Sequence, residues 1–343
     1  MIPLATSLRR LNASVTFGAG EKHLALFMKE MPEVPCINFP GFRPGYSRML
    51  PQYLWMLIQT PLLLYHIIRE HRRLNRIILD NDIDIVISDN RFGLWNKKVK
   101  TVYITHMPVI PLPGALRCLE FIGVILHRWI IRKYDLCFIP DLPGEINLSG
   151  RLSHDVRLPS NCRFIGLLSR FTDANSLSSG NPFSGSHNTV VLSGPEPQRG
   201  ILKKRLTEAL MEKDPPTLFL GGMPEKESVP EHLGKITIIN HLPSSAMKEV
   251  LMTSKSIISR SGYTTIMELI SLNCSALLIP TPGQTEQEYL ARYLESKGWF
   301  RSLSQNEISA HMMLPFTEPA WTDDLLKESR SLLEKALKEL LSK

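Results

Sequence analysis

Ser256-Ile257-Ile258-Ser259-Arg260-Ser261-Gly262-Tyr263-Thr264-Thr265-Ile266-Met267-Glu268-Leu269 holds a strand, a turn and the start of a helix. The run at 256–258 reads as a buried strand. Gly262 frees the backbone to turn, and Ser261 or Thr264 can cap the helix that follows. Such a helix start offers N–H groups and the positive end of a dipole to an anion of the pyrophosphate type. Glu268 falls about one turn in, on the face of Thr264 and Thr265, where a carboxylate takes both hydroxyls of a ribose. The competing reading is a capped helix carrying a solvated glutamate.

The same strand–turn–helix alternation extends in both directions. Strands are expected at 189–193, 216–220, 236–239 and 276–279 in the second half, and at 14–17, 36–39, 83–88, 101–105 and 135–139 in the first. Longer helical patterns lie between them, notably at 52–80 and 116–133. Such alternation means parallel sheets with crossover helices. The predicted fold is therefore α/β, with two doubly wound, Rossmann-like parallel-sheet domains facing a cleft at their strand ends. A stretch rich in Ser, Asn and Gly at 169–188 reads as the linker. The expected organisation is an N-terminal domain at 1–168, a C-terminal domain at 189–320, and a last helix at 321–343 that packs back on the first domain.

Two further segments of the second half carry chemistry. Ser193-Gly194-Pro195-Glu196-Pro197-Gln198-Arg199 is a small-residue turn between strand and helix, open to a phosphate, with Arg199 adding charge. The bland alternative is a tight turn that binds nothing. Pro280-Thr281-Pro282-Gly283-Gln284-Thr285-Glu286-Gln287-Glu288 runs from a strand into a helix whose first turn is crowded with amides and carboxylates. Amides donate and accept, which suits a sugar edge. Acidic capping accounts for Glu286 and Glu288 but not for the two glutamines.

The 343 residues are 43% hydrophobic and 21% charged, a globular composition that excludes a disordered or collagen-like chain. The net charge of +7 is unevenly spread: residues 1–170 hold 22 basic and 13 acidic side chains, residues 171–343 hold 18 and 20. The first half is expected to meet something anionic. Cys36, Cys118, Cys137, Cys162 and Cys274 are odd in number and widely spaced, and read as reduced thiols of a cytosolic protein. Neither a signal peptide nor an apolar run of spanning length is recognised.

The segments SRSGYTTIMEL and PTPGQTEQEYLA, in this order at successive strand ends, resemble the nucleotide-sugar half of glycosyltransferase family 28. That family includes the N-acetylglucosaminyltransferase that completes the lipid-linked peptidoglycan precursor. The likeness continues through SGPEPQR, INHLPSS (239–245), ISDNRFGLW (87–95) and ITHMP (104–108), and extends to a bacterial group of glycosyltransferases with the two-domain GT-B architecture. The resemblance implies a UDP-sugar donor, N-acetylglucosamine being the expected sugar, and no cofactor or metal. Glu268 would bind the ribose. Ser193, Gly194, Ser261, Gly262 and Thr264 would surround the diphosphate, with Tyr263 and Arg199 in the same binding set. Gln284, Glu286 and Gln287 would face the donor sugar, and Asn240, His241 and Leu242 would take the base. A hydroxyl of a glycan or lipid-linked acceptor would be the nucleophile, in an inverting reaction.

Relatives open with a strand and a Gly-rich loop bearing a histidine, just before a helix that matches 1–11. That loop has no counterpart here, so a truncated, weakly active chain is expected. Asp89, Arg91 and His106, at first-domain strand ends, are the remaining catalytic candidates. Asp80-Asn81-Asp82-Ile83-Asp84 imitates a D-x-D metal motif but reads as a turn. An apolar run with interfacial aromatics (Tyr53, Leu54, Trp55, Leu57, Ile58, Leu62, Leu63, Leu64, Tyr65) precedes Arg69, Arg72, Arg73 and Arg76, which suits an anionic membrane surface; a core helix with a basic end is the plain alternative. Nucleic acid is not expected, since no recognition motif is present. The location implied is cytoplasmic, at the inner face of the plasma membrane. A UDP-sugar 2-epimerase and a non-catalytic sugar-nucleotide binder remain alternatives.

Overall fold

A computed structural model describes residues 1–42, 45, 52–171, 186–223, 229–312 and 323–342. Most of the expected linker, 172–185, lies outside the described residues.

The chain opens with α1 (Ile2–Arg10), β1 (Phe17–Ala19), α2 (Glu21–Glu30) and β2 (Cys36–Asn38). β1 and β2 pair only with each other, in parallel. Ala5, Phe17, Leu24, Met31 and Val34 close a small core around them, with Phe17 and Phe27 stacked at 4.0 Å.

A first compact unit takes Phe39–Leu167 and Asp324–Lys343. It contains α3 (Gln52–Asp80), β3 (Ile85–Asp89), β4 (Lys100–Ile104), α4 (Glu120–Ile131), β5 (Leu136–Ile139) and β6 (Cys162–Phe164). The four strands lie side by side in sequence order, all parallel. Leu74 and Ile78 of α3 pack with Val86 and Phe39, and Ile130 and Ile131 of α4 pack with Tyr103, Cys137 and Ile139.

The second unit takes Ile2–Asn38 and Leu168–Asp323. Beyond α1–β2 it contains β7 (Asn188–Val191), α5 (Gln198–Leu210), β8 (Thr217–Leu220), β9 (Glu231–Leu233), β10 (Ile236–Ile239), α6 (Ser244–Thr253), β11 (Ser256–Ser259), α7 (Tyr263–Ser271), β12 (Leu277–Leu278), α8 (Thr285–Ser296) and β13 (Arg301–Ser302). The sheet order is β13-β12-β11-β7-β8-β10-β9. β11, β7 and β8 are buried throughout, and their central residues are apolar or β-branched. Only β9 runs antiparallel, because a two-residue turn at Gly234 (φ +57°) folds it back on β10.

The last helix, α9 (Asp323–Leu341), belongs from Asp324 on to the first unit. Arg163 holds Glu339 at 2.9 and 2.7 Å, Lys100 Nζ donates to the Leu340 carbonyl at 3.0 Å, and the Leu167 amide donates to Ser329 Oγ at 2.6 Å. One expected boundary is corrected. Residues 2–38, read as part of the first domain, group with the second unit, because β1 and β2 pair with no first-unit strand and Glu30 of α2 accepts from Ser244 Oγ at 2.7 Å.

Candidate functional site

In the second unit one fully buried side chain gathers the three segments. Arg260, 1% exposed, follows β11 and donates to the carbonyls of Ile279 (3.1 Å) and Pro280 (3.1 Å). Its other terminal nitrogen donates to the Gln198 carbonyl (2.9 Å) and to Gln305 Oε1 (2.7 Å). The turn at 193–199, the turn at 259–264 and the loop at 280–287 are thus tied to a single guanidinium. Burial pushes its pKa from 12.5 down to about 10, which leaves it cationic at neutral pH behind all three turns. Sequence reading passed over Arg260, because an arginine in a turn looks like a surface residue.

Gly262 is the N-cap of α7, in extended conformation, with nothing within 4 Å of the place a Cβ would occupy. The first N–H groups of α7 follow it, with Thr264 exposed and Tyr263 buried. Tyr263 is therefore core on its ring side. Ser261 is also buried, and its Oγ donates to the Gln287 carbonyl at 2.8 Å. This ties the first turn of α7 to the first turn of α8.

Gln287 was expected to face the donor sugar. It is instead buried, and its Oε1 accepts the Thr281 amide at 2.9 Å, which shapes the loop from within. Glu288 does the same for the Gly283 amide at 2.8 Å. Gln284, the N-cap of α8, and Glu286 are half-buried and stay at the outer edge of that turn.

Glu268 is buried, and its carboxylate is gripped by Arg170: Nε lies 2.8 Å from Oε1 and a terminal nitrogen 3.4 Å from Oε2. Burial raises the Glu268 pKa, and the guanidinium opposes that rise. Arg170 sits at the start of the expected linker, 98 positions away, so no local spacing announced it. The carboxylate is thereby oriented rather than freely solvated. His241, half-buried, has its pKa lowered, first by burial, and Asn240 presents its carbonyl to the Met223 amide at 2.9 Å. Leu242 is half-buried beside them.

Ser193 is half-buried, and Gly194 is exposed at φ +91°, a conformation glycine adopts without strain. Arg199 is less available than expected. Glu196 holds it at 2.9 Å, and it reaches toward the Gly222 carbonyl at 3.4 Å. A shallow pocket lies there, lined by Leu192, Arg199, Lys203, Gly221, Met223 and Ile238.

In the first unit Asp89 is exposed at the end of β3. The parallel register pairs Asp89 with Ile104, so His106, half-buried two residues beyond β4, lies at the same end of the sheet. Arg91 is tied into the unit by part of its guanidinium. Its Nε contacts Glu70 at 3.1 Å, Nη1 donates to the Phe39 carbonyl at 3.0 Å, and its guanidinium lies 4.2 Å from the Phe39 ring. Sequence reading also missed the buried hydroxyl of Tyr103. It donates to Asn90 Oδ1 at 3.1 Å and lies 2.9 Å from His127 Nε2. Burial pushes His127 down to about 4, so it is neutral. Among the described residues no group of three or more His, Cys, Asp or Glu side chains is placed to hold a metal.

Residues 220–339 match the glycosyltransferase family 28 C-terminal domain. An uncharacterized glycosyltransferase of Methanosarcina acetivorans is 26% identical over 185 residues, 52% of this chain and 46% of the relative. The UDP-N-acetylglucosamine–N-acetylmuramyl-(pentapeptide) pyrophosphoryl-undecaprenol N-acetylglucosamine transferase of Listeria monocytogenes is 25% identical over 164 residues, 45% of each chain. The chain thus spans about half the length of these curated relatives. Among solved structures, the kitacinnamycin glycotransferase superposes with a TM-score of 0.61 at 12% identity, over 99% of this chain and 94% of that one. The glycosyltransferase SnogD of Streptomyces nogalater gives 0.59 at 15% identity, over 99% and 91%. Residues 220–339 are thus similar to the glycosyltransferase family 28 C-terminal domain, and the chain has the GT-B fold of these solved structures.

Proposed function

We propose that the chain is a glycosyltransferase that holds a UDP-sugar, with N-acetylglucosamine as the expected sugar, on its second unit. The acceptor is a hydroxyl of a lipid-linked or cell-envelope glycan. The observation that carries this reading is the convergence of three turns on Arg260, beside a buried, Arg170-oriented Glu268. Together they offer what a nucleoside diphosphate needs: a helix N-terminus and a positive charge for the phosphates, and an acceptor carboxylate for the ribose.

In the reaction an acceptor hydroxyl, deprotonated by a base, attacks the anomeric carbon and the configuration inverts. The UDP leaving group takes its negative charge toward the α7 N-terminus, with no metal required. Asp89 and His106 are the base candidates, and Arg91, held in part by Glu70 and the Phe39 carbonyl, completes the catalytic set.

The first unit supplies a surface suited to the acceptor's carrier. Leu54, Leu57, Ile58, Leu62, Tyr65 and Ile68 share one face of α3 and are exposed. Phe121, Ile122, Ile125 and Trp129 do the same on α4, with Trp129 56% exposed. Lys133 lies 3.6 Å from the Trp129 ring. No helix among the described residues is long and apolar enough to cross a membrane. Exposed apolar stripes beside Arg69, Arg72, Arg73 and Arg76 fit a contact with anionic lipid.

The test is incubation of the full chain with UDP-N-acetylglucosamine and a polyprenyl-linked glycan acceptor. Acceptor-dependent UDP release supports the reading. Isomerisation at the sugar C2 would assign an epimerase, and binding without either change would assign a carrier.

A further inference from the structure

Two cysteines that the nucleotide site does not use face each other in the first unit. Cys137 of β5 and Cys162 of β6 are register partners in parallel strands, so both side chains lie on the same face of the sheet. Neighbouring strands run roughly 4.8 Å apart, inside the ~4.4–6.8 Å between Cα atoms that a disulfide spans. Cys137 is fully buried in the cluster of Tyr103, Ile131 and Ile139. Cys162 is half-buried on β6, which stands at the edge of the sheet, so reagents reach it from outside.

Their chemistry is unequal. The neighbouring Cys137 thiol and the Arg163 charge pull the Cys162 pKa down, and burial opposes them. The same neighbour, together with burial, raises Cys137. A half-buried sulfur on an edge strand, in register with a fully buried one, has the placement of an attacking and a resolving thiol. The other three cysteines differ: Cys118 is exposed, and burial raises the pKa of Cys36 and takes Cys274 up to about 11.

We propose that Cys137 and Cys162 are a reversible redox pair that a hydroperoxide closes into a cross-strand disulfide. The Cys162 sulfur takes the terminal oxygen as the O–O bond breaks, forming a sulfenic acid and releasing water or an alcohol. The Cys137 thiol then displaces the sulfenic hydroxyl as water. Two thiols and one hydroperoxide give one disulfide, one water, and one further water or alcohol; sulfur loses the two electrons that the peroxide gains. Side chains held in parallel at strand spacing must close toward ~3.8 Å between Cβ atoms, so the bond is strained and readily reduced. β6 is the strand that moves, and Arg163 on it carries α9 through Glu339.

The test uses the full chain with Cys118→Ser, which removes the exposed competitor. The protein is treated with a small excess of hydrogen peroxide, alkylated, and digested without reduction. The expected result is a peptide joining Cys137 to Cys162 as the main oxidised product, lost on dithiothreitol treatment. Cys137→Ser should instead leave a sulfenic acid at Cys162 that dimedone captures. Hydrogen exchange in α9 should rise on oxidation and return on reduction. The proposal is overturned if both thiols remain alkylatable after peroxide, or if Cys162 passes to the sulfinic acid while Cys137 stays reduced.

Discussion

Replacing Arg260 with methionine isolates the tie that gathers the nucleotide turns. The substitution keeps an unbranched side chain of similar length and removes four donated hydrogen bonds. Bonds from a charged donor contribute about 1.5–3 kcal/mol each, and they are not additive when they share one group. Against this stands relief of the buried charge. The shift from 12.5 to about 10 corresponds to about 3 kcal/mol by which the site disfavours the charged form. The balance is a net destabilisation of ~2–4 kcal/mol, mostly from carbonyls left without donors. In a unit of this size that lowers Tm by ~5–15 °C. UDP affinity should fall about tenfold, since the turns at 193–199 and 280–287 lose their common anchor. Thermal melting and titration calorimetry on Arg260→Met, with Arg260→Lys as the variant that keeps charge but loses the fork, decide the matter. An unchanged Tm together with an unchanged UDP affinity refutes the reasoning.

Glu268→Ala should weaken UDP binding by ~1–3 kcal/mol by calorimetry, through ribose hydroxyls left unpaired, and Glu268→Gln by less. Because burial raises the Glu268 pKa, wild-type UDP affinity should decline as pH falls through a value above the ordinary 4.5, and Glu268→Gln should lack that limb. The stability term has the opposite sense: it is fully present below pH 4.5 and is lost as pH rises through the raised pKa. Gly166→Ala should cost ~2–4 kcal/mol in thermal melting, since φ is +70° and a Cβ would sit 2.3 Å from the Ser329 carbonyl oxygen. The chain should pellet with anionic vesicles, less so at high salt, and Arg72→Glu with Arg73→Glu should reduce pelleting more than any second-unit change. Equal pelleting with neutral vesicles counts against the charge component.

Strands with apolar or β-branched runs were legible: the expected 236–239 is β10 to the residue, and 256–258 and 216–220 differ from β11 and β8 by one position at one end. β6, β9 and β13 were not, because Cys162-Arg163-Phe164, Glu231-His232-Leu233 and Arg301-Ser302 are short and half polar. Their pairing is decided by neighbours, not by their own pattern. The turn at Gly262 was readable from spacing, whereas the burial of Glu268 was not. Arg170 was not, since its partner is far along the chain. The loop-closing bond of Gln287 to the Thr281 amide was not legible, because amides that line a sugar and amides that close a loop look alike in sequence. The fate of residues 2–38 was equally hidden: strand patterns announce a sheet but not which sheet they join.

The most direct measurement is titration calorimetry of the full chain with UDP, UDP-N-acetylglucosamine and ADP. If α7, Arg260 and the Arg170-held Glu268 hold the diphosphate and ribose while Asn240, His241 and Leu242 take the uracil, both uridine ligands bind with one site per chain and Glu268→Ala weakens both. ADP should then bind far more weakly. No heat with either uridine ligand, or ADP binding as tightly as UDP, contradicts the account.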